Sequence, residues 1–156
     1  MKKGLLSAVF LLTSLFLMSA CTKSGKAVEV YSFSGENDEI RINNGLIIVT
    51  EDLERFIGGD LSFKGEEPSD VKAYAEKFFF EKEGIEEGGL TNSSTIEGKT
   101  EGTEIDSELG AISSEDLFYG DDLEWIKESL KFSLTGKFMD GESFEYKLDL
   151  RVEKAY

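Results

Sequence analysis

Apolar side chains alternate with polar ones along most of the last 27 residues of the chain. The alternating residues share even-numbered positions on both sides of the short stretch Met139-Asp140-Gly141; they are Leu130, Phe132, Leu134, Phe138, Phe144, Tyr146, Leu148, Leu150 and Val152. A period of two predicts antiparallel strands that bury one face. A three-residue loop with a left-handed glycine keeps the two apolar faces together. It predicts a register with Phe132 opposite Leu148 and Leu134 opposite Tyr146.

A second β signal lies in the stretch "EIRINNGLIIVT". Two runs rich in β-branched residues flank Asn44-Gly45, a pair favoured in two-residue turns because both central residues need positive φ. The pattern predicts a hairpin with Ile42 opposite Ile47 and Ile40 opposite Val49.

Three neighbouring stretches complete the β pattern. "AVEVYSF", with Val28 and Val30 alternating, predicts a strand before the turn residues "SGEND". "RFIGGDLSFKG" predicts a strand pair or a bulged strand that bends at Gly58-Gly59. The region 84–114 is rich in Gly, Ser, Thr and Glu, which predicts mostly surface loop with one or two edge strands.

Two stretches carry helical spacing. In "PSDVKAYAEKFFFEKEG", five apolar residues follow the potential cap Ser69-Asp70 at helical intervals; they are Val71, Tyr74, Ala75, Phe78 and Phe79. This spacing slightly favours a helix over 69–83, although Phe78-Phe79-Phe80 would also suit a buried strand. "GDDLEWIKESL" predicts a short helix capped by Asp121 or Asp122, with Leu123, Ile126 and Leu130 on one face.

Together these patterns predict one domain over residues 28–156. Its expected fold is mainly β, an antiparallel β-sandwich-like sheet with one or two short helices, and an α+β fold is the alternative.

The chain begins with a segment typical of an export signal. Lys2 and Lys3 precede a run from Leu5 to Leu17 that is almost wholly apolar, and small residues follow it. The run is too short to cross a bilayer comfortably, since a membrane helix needs about 20 apolar residues. We therefore expect a secretory signal peptide over residues 1–20.

The end of this segment, Met18-Ser19-Ala20-Cys21, resembles the lipobox of bacterial lipoproteins, with Met18 where leucine is commonest. The resemblance implies cleavage before Cys21, a diacylglycerol group on its sulfur, and often a further acyl chain such as palmitate on the new amine. Residues 21–27 would then be the lipidated cysteine and a polar tether. The expected location is the outer, extracytoplasmic side of the cell membrane. In general layout the exported domain also resembles uncharacterised small lipoproteins of Gram-positive bacteria, which implies no activity.

Composition excludes several classes of function. Removal of the signal leaves 15 basic residues against 32 acidic ones, a formal charge of −17. Such a surface repels phosphates, so we expect no nucleic-acid partner. The chain has no histidine and its one cysteine is the expected lipidation site. These absences exclude Ser-His-Asp and Cys-His catalysis, nearly every zinc site and any disulfide within the domain.

The remaining candidates are a binding module, an enzyme and a calcium-stabilised surface module. The leading expectation is a non-enzymatic domain, without cofactor or metal, that binds an envelope protein or polymer. Its candidate surface is Tyr119, Asp121, Asp122 and Trp125, aromatic and acidic residues beside a long predicted loop.

Both rivals rest on carboxylates. A carboxylate-dependent cell-wall hydrolase could use adjacent acids such as Asp121-Asp122, Glu115-Asp116 or Glu86-Glu87. Calcium could bind near Asp60, Asp121, Asp122 or Asp140, but none of these has the spacing of a dedicated calcium loop.

Overall fold

The structure is a computed structural model that describes residues 28–95 and 102–156. In these residues the chain forms two antiparallel sheets and one helix, which confirms the prediction of a mainly β, sandwich-like fold. The strands are β1 Glu29–Glu36, β2 Ile40–Val49, β3 Glu54–Ile57, β4 Asp60–Phe63, β5 Val71–Lys82, β6 Ile85–Thr95, β7 Ala111–Ser114, β8 Lys131–Phe138, β9 Ser143–Asp149 and β10 Arg151–Lys154, and the helix α1 is Asp122–Ser129.

The first sheet has the strand order β10-β1-β2-β3-β7, and β4 also pairs with β2. The second sheet has the order β6-β5-β8-β9. The chain passes from the second sheet to the first between β9 and β10. At this step the N–H of Leu150 donates to the carbonyl of Leu130 at 2.9 Å. A strand that changes sheets closes one corner of the sandwich.

Aromatic rings from both sheets meet in the core. Phe33 and Phe56 of the first sheet have ring centroids 5.0 Å apart, and Phe56 lies 5.0 Å from Phe78 of the second sheet. Phe78 continues the contact to Phe132 at 5.1 Å. These separations are typical of tilted and edge-to-face aromatic pairs. The rings thus join the two sheets.

The C-terminal hairpin has the predicted register. Phe132 pairs with Leu148, and Leu134 pairs with Tyr146. The N–H of Phe138 donates to the carbonyl of Glu142 at 2.8 Å, which closes the three-residue loop. Its glycine is left-handed, with φ of 94°. The continuous strand implied by the alternation through Val152 is divided, because the chain changes sheets at Leu150.

The predicted hairpin at Asn44-Gly45 is wrong. β2 runs through this pair as one bulged strand, and its register against β1 shifts between Phe33↔Gly45 and a second pair, Gly35↔Ile42. The extra residue changes the parity of the strand, so Ile42 and Ile47 are both fully buried. Asn44 has the positive φ expected of it, 59°, but in a bulge rather than in a turn.

The stretch around Gly58-Gly59 forms two short strands, but neither as a pair nor as one bulged strand. β3 and β4 do not pair with each other but lie in succession along β2, with Leu46 opposite Ile57 and Asn43 opposite Asp60. Gly59 has φ of 82°, and a Cβ there would lie 2.2 Å from the carbonyl oxygen of Asn43. The bend therefore faces the bulge in β2.

The slight preference for a helix over 69–83 is wrong, because β5 is a strand between β6 and β8. Its register against β8 shifts between Val71 and Ala73, where β5 contains one extra residue. The shift turns Val71 and Tyr74 to the same buried side at a spacing of three residues, which imitates a helix. Phe78-Phe79-Phe80 forms the buried strand that was the alternative.

The remaining predictions are confirmed in outline. β1 forms where its pattern predicted it but continues through Ser34-Gly35-Glu36, which were predicted as turn residues, so the turn comprises only residues 37–39. α1 forms where its pattern predicted it and buries Ile126. β6 and β7 are the two edge strands of region 84–114, although β6 is longer than the prediction of mostly surface loop allowed.

Candidate functional site

Both ends of the helix α1 bind residues at the C-terminal end of β5. At its C-terminus the Ser129 hydroxyl donates to the carbonyl of Glu81 and accepts from the N–H of Glu81, both at 3.0 Å. At its N-terminus the Lys82 ammonium binds the Asp121 carboxylate. These contacts hold the predicted binding segment against the second sheet.

Asp121 stands at the N-cap position, but its side chain makes no cap hydrogen bond. Its carboxylate instead binds Lys82 and accepts from the Trp125 indole N–H at 3.1 Å. The hydrogen bond from Lys82, followed by that from Trp125, lowers the pKa of Asp121 below its ordinary value. The same contact with Asp121 raises the pKa of Lys82. Asp121 is therefore an ionised structural contact in this site.

An apolar pocket of about 270 Å³ opens beside this helix. It lies between the two sheets, the segment before α1, and the helix itself. Most of its walls are aromatic or aliphatic; the lining residues are Phe56, Phe78, Phe79, Phe80, Thr91, Ile112, Leu117, Phe118, Asp122, Ile126 and Leu130. Thr91 and Ile112 come from β6 and β7, so the pocket lies beside the outermost described strand of each sheet.

Glu54 holds the wall of the pocket that is formed by a loop. One oxygen of its carboxylate accepts hydrogen bonds from the N–H of Leu117 at 2.7 Å and of Phe118 at 2.8 Å. Both residues are partly buried and pack against the core cluster. A charged acceptor with two backbone donors makes strong hydrogen bonds, so Glu54 fixes the course of this loop.

The four predicted surface residues have different positions around the pocket. Asp122 lines it and accepts from the N–H of Tyr119 at 3.3 Å. Trp125 is partly buried and packs against the hydrophobic core, and its indole N–H donates to the carboxylate of Asp121. The Tyr119 side chain is 70% exposed and lies outside the pocket lining. Only Asp122 of the four thus lines the pocket, whose walls are more apolar than the four residues suggested.

The sequence interpretation missed the residues that make the pocket walls. These residues come from three separate parts of the chain. Phe56 was interpreted as a strand residue, Phe78 and Phe80 as part of a helix or a buried strand, and Ile112 as part of a region of mostly surface loop. Glu54 carried no signal, because one acidic residue among 32 is not distinctive. The apolar pair Leu117-Phe118 just before the acidic segment was the one local sign of a pocket.

The acidic residues named for the rival functions are dispersed. Asp60 accepts from the Asn44 side-chain amide at 2.7 Å, and Asp140 accepts from the N–H of Glu142 at 2.9 Å. Glu86 binds Lys77. Within residues 28–95 and 102–156, no group of three or more acidic or cysteine side chains is placed to hold a metal ion. The hydrolase with its Glu86-Glu87 and Glu115-Asp116 pairs, and the calcium module, stay predictions.

The predicted lipidation site, Cys21, lies outside the described residues, as do the signal peptide and the tether. No helix in the described part of the chain is both long and apolar enough to cross a membrane.

Comparison with known proteins gives no relative: no family model, no curated protein and no solved structure matches this chain.

Proposed function

We propose that this protein is a lipoprotein, anchored through Cys21 on the outer side of the cell membrane, whose domain binds an envelope protein without chemical turnover. The anchor is supported by the order of charged start, apolar run, small residues and cysteine in residues 1–21. The binding activity is supported by one observation above all, the apolar pocket between α1 and the strands β6 and β7.

The size of the pocket favours a single apolar side chain as its occupant. Pockets for small organic ligands usually measure about 300–1,000 Å³. At about 270 Å³, this pocket is just below that range. A polymer chain would need a longer groove, whereas one anchoring side chain inserted into a pocket often dominates a protein interface. The proposed partner is therefore a protein that inserts an aromatic or aliphatic side chain.

The rim of the pocket favours a partner with positive charge. Asp122 lines the pocket, and the mature domain has a formal charge of −17. Complementary charge speeds association and rejects unsuitable partners. We expect basic residues to flank the inserted apolar side chain.

The decisive experiment is crosslinking in the protein's own cells. A photoreactive amino acid at Tyr119, which is exposed beside the pocket, should capture one reproducible protein. Ile112→Glu places a charge in the pocket wall and should abolish that crosslink. Ile85→Glu is the matched control, because Ile85 is 64% exposed and does not line the pocket.

The proposal predicts loss with Ile112→Glu, retention with Ile85→Glu, and a weaker crosslink with Trp125→Ala in a domain that still unfolds cooperatively. Capture that survives Ile112→Glu would contradict a role for the pocket. Hydrolysis of peptidoglycan or peptides by the purified protein would contradict the proposal and favour the alternative, a carboxylate-dependent hydrolase.

A further inference from the structure

Glu76 is a carboxylic acid inside the hydrophobic core. It lies on β5 between Tyr74 and Phe78, two core residues of the same parity, and its side chain is only 2% exposed. Its partner on β8 is Leu134, which is fully buried. Directly opposite residues in an antiparallel pair share a face, so the carboxyl group points between the sheets.

The hydrogen bonding of Glu76 is incomplete. Its Oε2 atom has one long contact, 3.5 Å from the side-chain amide of Asn92 on β6. Its Oε1 atom is buried and has no hydrogen-bond partner among the described residues. A buried carboxylate without strong donors is costly, because burial penalises the charged form.

Among the described residues, no cation offsets this cost. The residue opposite on β6 is the neutral Asn92, and the residue opposite on β8 is apolar. The segment 102–110 contributes Asp106, whose negative charge acts on Glu76, while the backbone N–H of Asp106 donates to the Tyr74 hydroxyl at 3.3 Å. No lysine or arginine of the described chain forms an ion pair with Glu76; the adjacent Lys77 binds Glu86.

We propose that Glu76 is a pH-sensitive contact between β5 and β6. In its neutral form it lets β6 close over the core, and in its ionised form it must recruit water, which loosens β6 at Asn92. The contact lies next to the pocket, because Phe78 and Thr91 line the pocket and are neighbours of Glu76 and Asn92 in their strands. Only the effect of this contact on the pocket rests on the proposed function; the pH sensitivity of the contact itself does not.

The electrostatics agree with this geometry. Burial raises the pKa of Glu76 from 4.5 to about 7; the hydrogen bond from Asn92 opposes this shift, and the negative charge of Asp106 adds the smallest contribution to it. Glu76 would then change between its neutral and ionised forms near neutral pH, within the range that an exported domain meets.

Hydrogen exchange of the full chain, purified from membranes in a neutral detergent without any partner, tests the inference. After correction for the intrinsic rates, protection of the β6 amides should fall on the order of 100-fold between pH 5 and pH 8. Glu76→Gln should remove most of this dependence, since its side chain stays neutral. Glu87→Gln, at an exposed position of β6, should retain it.

Equal pH dependence of β6 protection in the wild-type and Glu76→Gln chains would overturn the inference. If Glu76→Gln does not fold, the Glu76 carboxyl carbon can be titrated directly by NMR in the wild-type chain. A midpoint near 7 supports the inference, and a midpoint near 4.5 refutes it. Since no partner is used, failure to find an envelope protein would leave these results unaffected.

Discussion

The ring of Phe33 lies directly against Gly45, so that a Cβ atom on Gly45 would be 2.2 Å from the ring. Phe33 is 2% exposed and packs against Phe56 and Phe78. The ring therefore has little room to move aside, and the glycine in the middle of β2 is required by packing across the strand pair.

Gly45→Ala should destabilise the domain by about 1–3 kcal/mol, the usual cost of overpacking a dense core. Urea denaturation gives the change in the free energy of unfolding. Gly65→Ala is the matched control, since a Cβ there would meet nothing within 4 Å. It should be neutral or slightly stabilising. Similar losses from both substitutions would contradict the packing argument.

The same strand shows what the sequence could reveal and what it could not. A two-residue turn and a one-residue bulge both shift the buried positions of a strand from even to odd numbers. The burial of both Ile42 and Ile47 fits either structure, so the sequence pattern does not distinguish them. The bulge in β5 likewise produced the helical spacing of Val71 and Tyr74. By contrast, the C-terminal hairpin contains no bulge over β8 and β9, and its register was predictable residue by residue.

The pocket could be predicted only in part. Its rim segment is continuous in the chain, and an aromatic, acidic stretch next to a helix start marked it. Its walls need the pairing of β3 with β7 and of β5 with β6, which local patterns do not specify. The burial of Glu76 had no sequence signal either, because it occupies a polar position within an apparent helix.

Glu54→Gln tests the support of the pocket loop. The variant keeps an oxygen acceptor but loses the charge that strengthens the hydrogen bonds from Leu117 and Phe118. Hydrogen bonds to charged groups contribute about 1.5–3 kcal/mol, and we expect a loss of roughly half that amount. Exchange of the Leu117 and Phe118 amides should accelerate more than exchange elsewhere. Glu51→Gln, at an exposed position three residues earlier, should leave both amides unchanged.

Gly141→Val tests the hairpin loop. Gly141 has φ of 94°, and a Cβ there would meet no atom within 4 Å, so backbone strain alone should act. We expect a loss of about 1–3 kcal/mol in thermal or urea unfolding. The neighbouring Glu142→Gln should be nearly silent. Comparable effects at the two positions would mean that the loop has a different geometry in solution.

Cys21→Ser tests the proposed anchor. Without the thiol no diacylglyceryl group can be attached, and we expect an uncleaved or misprocessed precursor that lacks lipid mass. Intact-protein mass spectrometry of the membrane fraction measures both properties. Ser24→Ala, three residues further along, should be processed normally. A wild-type mature chain that begins elsewhere, or that has no acyl mass at Cys21, would refute the lipoprotein proposal.

The pH dependence of global stability provides an independent test of Glu76. Its pKa is raised from 4.5 in the unfolded chain to about 7 in the folded domain, so the folded state binds the proton more tightly. The resulting stabilisation is complete below pH 4.5, falls as the pH rises through about 7, and is absent above it. At 1.36 kcal/mol per unit of pKa, the loss amounts to about 3 kcal/mol. Asp121, whose pKa is lowered, acts in the opposite direction and in a more acidic range.

Urea titrations at constant ionic strength from pH 4 to pH 9 can isolate this contribution as the difference between the wild-type chain and Glu76→Gln. The free energy of unfolding of the wild type should fall relative to the variant between pH 4.5 and pH 7, and the difference should then stay constant. Glu87→Gln should track the wild type over the whole range. A flat difference between wild type and Glu76→Gln would show that the carboxyl group is hydrated or paired in solution.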